Sequence, residues 1–130
     1  MRGRSRLLIG AGVVLAVVVG AFVLTPGGAL ARSLFVLREQ RTSCGEVEHG
    51  AQGGGIPADA RDCLDAAWES GAELTVMTPT TEGDPTFTYY RVGGGGLEIF
   101  RDTTGDTYGS GTWSRSVCPG DDLKGALERC

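Results

Sequence analysis

The sequence contains no asparagine, a single histidine (His49) and a single lysine (Lys124). The missing asparagine removes every N-glycosylation acceptor. One histidine leaves little for a His-based metal centre, and there is no G-x-S-x-G element. Ser–His–Asp chemistry, which needs a nucleophile, a base and an orienting acid together, has almost nothing to draw on. His49 follows Glu48 and lies beside glycine-rich stretches, the setting of a solvated loop residue. No C-x-x-C pair exists, so the usual zinc-site spacing is absent and no metal or other cofactor is expected. Arginine outnumbers lysine eleven to one, a compositional bias of a bacterial genome and not a functional signal.

The amino terminus is where the hydrophobicity lies. M-R-G-R-S-R precedes an uncharged run from Leu7 to Leu24, followed by T-P-G-G-A-L-A and Arg32. A basic start, an apolar stretch and small residues at Ala29 and Ala31 form the three parts of a secretory signal, with cleavage expected after Ala31. The 7–24 run is also close to the length that spans a bilayer, so residues 1–31 read as a signal peptide or an uncleaved membrane anchor. In both cases Arg2, Arg4 and Arg6 stay cytoplasmic and the remainder is exported. The start has no adjacent arginine pair, and the first cysteine, Cys44, is too far from the apolar run for a lipid anchor. Residues 32–43 read as a juxtamembrane segment whose S-L-F-V-L patch packs or continues a helix. Residues 44–130 read as the extracytoplasmic domain.

Three of the twelve basic residues fall in the first six, leaving nine against sixteen acids and a net charge of −7 on the exported part. That balance argues against nucleic acid or an anionic membrane surface as partner. The membrane enters only through the N-terminal segment, if it is kept. An exported domain of about 100 residues has a modest core and profits from covalent staples. Cys44, Cys63, Cys118 and Cys130 supply two disulfides. Proximity favours Cys44–Cys63 and Cys118–Cys130, although three connectivities are open.

Between the cysteines, I-P-A-D-A-R-D-C-L-D-A-A-W-E-S-G reads as a helix. Pro57 suits its first turn, Asp59 its positive end and Gly71 its exit. Ala60, Cys63, Leu64, Ala67 and Trp68 share one face, so Trp68 is expected in the core. C-G-E-V-E-H-G suits a short edge strand. E-L-T-V-M-T-P, T-F-T-Y-Y-R-V and L-E-I-F alternate as strands, joined by T-T-E-G-D-P and by four glycines. The glycine stretch lacks a lysine and joins strand to strand, so it is a hairpin loop and not a phosphate cradle. A last strand is expected near Trp113 and a short closing helix over D-D-L-K-G-A-L-E-R, capped by Asp121 or Asp122. The expected fold is α+β: a small antiparallel sheet of about four strands, one helix on a face, a short C-terminal helix, and disulfide staples.

The runs E-L-T-V-M-T-P-T-T-E-G-D-P-T-F-T-Y-Y-R-V and L-E-I-F-R-D-T-T-G-D-T-Y-G-S-G resemble a bacterial family of small exported proteins and lipoproteins of unknown function. Its members carry a helix, a T-x-E-G-D-P turn, a Tyr-containing strand and a D-x-T-x-D-x-[FY]-G loop. The resemblance covers about residues 44–115. It implies the fold and the exported address and brings no activity with it.

Two classes of function follow. The first is a non-enzymatic envelope module that binds a protein or peptide through a sheet edge or through Tyr89, Tyr90 and Tyr108. The second is a carboxylate-based hydrolase or Ca²⁺-dependent binder, in which Glu82, Asp84, Asp102 and Asp106 converge at one sheet end. Against the second stands the simpler role of Glu82 and Asp84 as solvated turn residues, with Gly83 at positive φ and Pro85 fixing the exit.

Overall fold

The computed structural model describes residues 27–130; the apolar run 7–24 and the basic start lie outside the described residues. Eight elements follow in order: α1 (Gly27–Val36), β1 (Thr42–Glu48), α2 (Ala58–Ala66), β2 (Ala72–Pro79), β3 (Pro85–Val92), β4 (Leu97–Asp102), β5 (Trp113–Cys118) and α3 (Leu123–Glu128). The strands form one open sheet in the order β1-β2-β3-β4-β5. The α+β class therefore holds, with five strands where about four were expected.

The sheet also departs from a purely antiparallel arrangement. β1 runs parallel to β2, while β2 through β5 are antiparallel neighbours. The physical reason is α2. Parallel strands need a crossover long enough to carry the chain back to the same end, and the 49–71 segment with its helix provides it. β1 remains an edge strand, with an irregularity in register between Ser43 and Glu46.

Period-two alternation sorts the sheet into two faces. Leu74, Val76, Val92, Leu97 and Ile99 point to one side and are buried with Ala60, Leu64 and Trp68 of the α2 region and Leu123 and Ala126 of α3. Trp68 is thus a core residue, as its helical spacing required. α2 ends at Ala66, earlier than its pattern suggested, and Pro57 occupies the position just before its first turn. Trp68 is held past the helix end by turn bonds, including Gly71 N donating to the Ala67 carbonyl at 2.8 Å. Gly71 has φ +102°, a conformation that favours glycine at a helix exit. At the other end of the chain, Asp122 caps α3 by accepting from Gly125 N at 2.7 Å.

On the opposite face lies α1. Its Phe35 is buried against Tyr89, Trp113 and Phe100, with ring centroids 4.2, 4.8 and 5.3 Å away. Much of the segment expected to be a juxtamembrane connection is therefore packed on the sheet as the end of α1 and the start of β1.

Both disulfides take the expected pairing. Cys44–Cys63 ties edge strand β1 to α2, and Cys118–Cys130 ties the end of β5 to the last residue beyond α3. Each closes a short loop, worth about 3 kcal/mol in the chain-entropy account. Two staples of this kind place the domain in an oxidising compartment.

Because Leu64 has no exposed surface and sits between α2 and the sheet, Leu64→Ala is expected to cost about 2–5 kcal/mol in denaturant unfolding. Val36→Ala, on the exposed side of α1, is expected to stay within about 0.5 kcal/mol.

Candidate functional site

The two acidic loops do meet. The 80–84 turn and the 103–112 loop sit at the same sheet end, and Asp84 Oδ2 accepts from Thr107 N at 2.8 Å. Gly105 packs so close to the Pro85 carbonyl that a Cβ there would overlap it. The turn itself closes as its residues require: Thr80 N donates to the Asp84 carbonyl at 2.8 Å, Gly83 N to the Thr80 carbonyl at 3.0 Å, and Gly83 has φ +92°.

Meeting is not converging on a ligand. Each carboxylate has a local donor. Thr81 Oγ1 donates to Glu82 at 2.8 Å, and Thr104 gives both its N and its hydroxyl to Asp102 Oδ1. Tyr108 N and Gly109 N both reach Asp106 Oδ1, at 3.1 and 2.8 Å. These are the self-bonded turns that short acidic side chains favour. The Thr81 hydroxyl holds the Glu82 carboxyl below its ordinary range, and the Thr107 backbone does the same for Asp84. Both are stabilised as anions, the opposite of what a general acid needs. Among the described residues, no group of three or more His, Cys, Asp or Glu stands close enough to hold a metal ion.

The three tyrosines do not form one patch. Tyr89 and Tyr90 are consecutive on β3 and project to opposite faces. Tyr90 packs against the core, Tyr108 is 81% exposed in the loop, and Tyr89 lies on the α1 side, stacked on Trp113 at 6.0 Å. Burial raises the Tyr89 phenol above its ordinary pKa, with the Asp102 charge adding to the effect.

On that same face the sheet carries a row of charges that the sequence reading missed. Arg38 clamps Glu73 with Nε and Nη2, at 2.7 and 2.8 Å. Glu73 is shared with Arg91, whose Nη1 reaches Glu98 at 2.9 Å, and Glu98 in turn meets Arg115. Arg91 is only 4% exposed and its Nη2 donates to the Glu39 carbonyl at 2.7 Å. Its Nε lies 2.7 Å from Glu73 Oε2 without a directed hydrogen bond, so that link is an ionic contact. Burial by itself would raise the Glu73 pKa; the Arg38 hydrogen bond and the charges of Arg38 and Arg91 outweigh it and hold the carboxyl below its ordinary 4.5. One signal was available. Arg91 and Glu98 flank the four-glycine hairpin symmetrically, and their register makes them opposite neighbours. Arg38 and Arg115 carried no such signal.

Among the described residues, the face is uncovered beyond Phe35 and Arg38. An open groove of ≈ 800 Å³ runs between α1 and the edge strand β1. Its floor includes Thr75, Met77, Phe87 and Tyr89; Glu46 and Glu48 of β1 form the rim on that side, and Arg38 and Arg41 line the groove as well. Both glutamates are exposed, and among the described residues neither makes a salt bridge. A half-apolar floor with an anionic rim along β1 suits an extended chain better than a small polar substrate.

No family model, curated protein or solved structure matches the chain.

The charge row sets a stability test. A carboxyl with a depressed folded pKa stabilises the fold above its unfolded value and loses that contribution as pH falls through the folded value. The Tm is therefore expected to fall below about pH 4.5, with a shallower acid limb in Glu73→Gln. Arg91→Ala, which strips the buried cation from two glutamates, is expected to cost about 3–5 kcal/mol near neutral pH. Chemical denaturation across pH checks both.

Proposed function

We propose that this chain is an exported cell-envelope module that binds a protein or peptide segment in the groove between α1 and β1, without catalysing a reaction. The observation that carries the reading is the groove itself, with Met77 and Phe87 in its floor and Glu46 and Glu48 on its rim. Charge complementarity selects an extended segment with an apolar side chain for the floor and a basic side chain for the rim. The outer edge of β1 offers unpaired backbone groups beside it, the arrangement used when a peptide adds to a sheet. In this reading the chain is one of the small exported proteins whose T-x-E-G-D-P turn it shares. Release after cleavage near Ala31 and retention through residues 7–24 both place the groove outside the cytoplasm.

Display of random peptides to the exported domain is expected to enrich sequences pairing an aromatic or aliphatic residue with Arg or Lys. Phe87→Glu and the double substitution Glu46→Lys, Glu48→Lys are each expected to weaken the selected peptides at least about tenfold, the equivalent of about 1.4 kcal/mol. Equal affinity in both variants, measured by fluorescence anisotropy, rejects the groove.

The second reading is a Ca²⁺-dependent binder or a carboxylate-based hydrolase at the acidic loops, and the Asp84–Thr107 contact that joins those loops favours it. Calcium binding to the folded state would raise the Tm through mass action. No Tm shift at millimolar calcium and no hydrolysis lost on Glu82→Ala or Asp102→Ala removes this reading.

A further inference from the structure

The expected cleavage position after Ala31 falls in the middle of α1, which runs from Gly27 to Val36. Residues 28–31, immediately ahead of that position, are built into the fold. Ala31 is 5% exposed. The Gly28 backbone lies against the start of β5 so closely that a Cβ would overlap the Thr112 hydroxyl and stand 3.3 Å from the Trp113 backbone nitrogen and oxygen. Ser33 Oγ donates to the Ala29 carbonyl at 2.9 Å, one turn back. Removal of residues up to Ala31 would delete this docked turn and leave only Arg32–Val36 of the helix. So short a piece does not hold a helix by its own propensity. It would also set a new ammonium group immediately behind Phe35 and its aromatic partners.

The chain before α1 constrains the geometry further. Only Thr25 and Pro26 separate Leu24, the end of the uncharged run, from Gly27. Three extended steps of this kind reach roughly 10 Å. α1 starts at the sheet end that carries Thr112, the 80–84 turn and the 103–112 loop.

We infer that the chain is not processed after Ala31: residues 7–24 stay as a membrane anchor, and α1 is a docked, rigid connector that holds the acidic-loop end of the sheet at the membrane surface. The groove between α1 and β1 then opens sideways along the membrane, and the domain cannot diffuse away from it. The inference rests on export and is independent of what the groove binds.

The test uses the full chain, produced in an exporting bacterial host. The protein is expected in the membrane fraction after an alkaline carbonate wash, with an intact mass that includes residues 1–31. A mature chain beginning at Arg32, or at any residue after Leu24, overturns the inference. A second arm reads the connector. Gly28→Leu leaves Ala29 and Ala31 untouched, so a processed protein would lose the substituted residue and keep the wild-type Tm. In the retained protein the substitution is expected to lower the Tm and to speed tryptic cleavage at Arg32 and Arg38. An unchanged Tm and cleavage rate in the full-length variant overturns the role of α1 as connector. The wild-type mass needs no variant to fold, and neither arm uses a peptide.

Discussion

The constraint on which the fold turns is the buried guanidinium of Arg91. A cation 4% exposed is tolerable only when its charge is matched and its donors are used. Glu73 and Glu98 supply the charge from the flanking strands, and the Glu39 carbonyl takes one of the remaining donors. That last bond matters most for architecture, because Glu39 lies in the segment between α1 and β1. Arg38, next to it, binds Glu73 from above and lays its guanidinium 3.5 Å from the Phe35 ring centre. Arg41 closes the same segment by donating to the Val92 carbonyl at 2.7 Å. Arg38, the Glu39 carbonyl and Arg41 thus tie the path of the chain from α1 into the parallel edge strand to the sheet.

Two different kinds of glue hold the two faces. The α2–α3 side is apolar and stapled, with Leu64, Leu74, Leu97 and Leu123 fully buried and the two disulfides at its margins. The α1 side is a mixed surface, with one aromatic cluster around Phe35, one charge row, and an open groove for the remainder. A domain this small buries a modest share of its surface, and among the described residues the main apolar layer lies on one face of the sheet. The part that no described residue covers lies beside edge strand β1.

Much of the scaffold was legible from local pattern. Alternation located β2, β3 and β4, the face Ala60–Leu64–Trp68 located the helix, and proximity gave both disulfides. The T-T-E-G-D-P turn behaved as its residues dictate, with Gly83 at positive φ. The parallel pairing of β1 was less legible, since C-G-E-V-E-H-G alternates weakly and nothing local says which neighbour it takes. Of the candidate site residues, Asp84 and Asp106 share a loop junction, but Tyr89 and Tyr90 part to opposite faces because consecutive strand residues must. Glu46, Glu48, Met77 and Phe87 attracted no attention, since an exposed glutamate or a strand phenylalanine has many ordinary uses.

The sequence by itself determined the two staples, the α+β class and the identity of the core, because each of these depends on composition or on periodicity within one segment. Only the tertiary structure decided that the acidic loops lock onto each other, that Arg91 is buried and shared, and that α1 straddles the expected cleavage position as part of the domain. Those outcomes depend on pairs such as Asp84 with Thr107, Glu39 with Arg91 and Gly28 with Thr112, separated by 23, 52 and 84 positions along the chain. No local propensity encodes such pairs; they exist only once the sheet has set its register and α1 has docked across it.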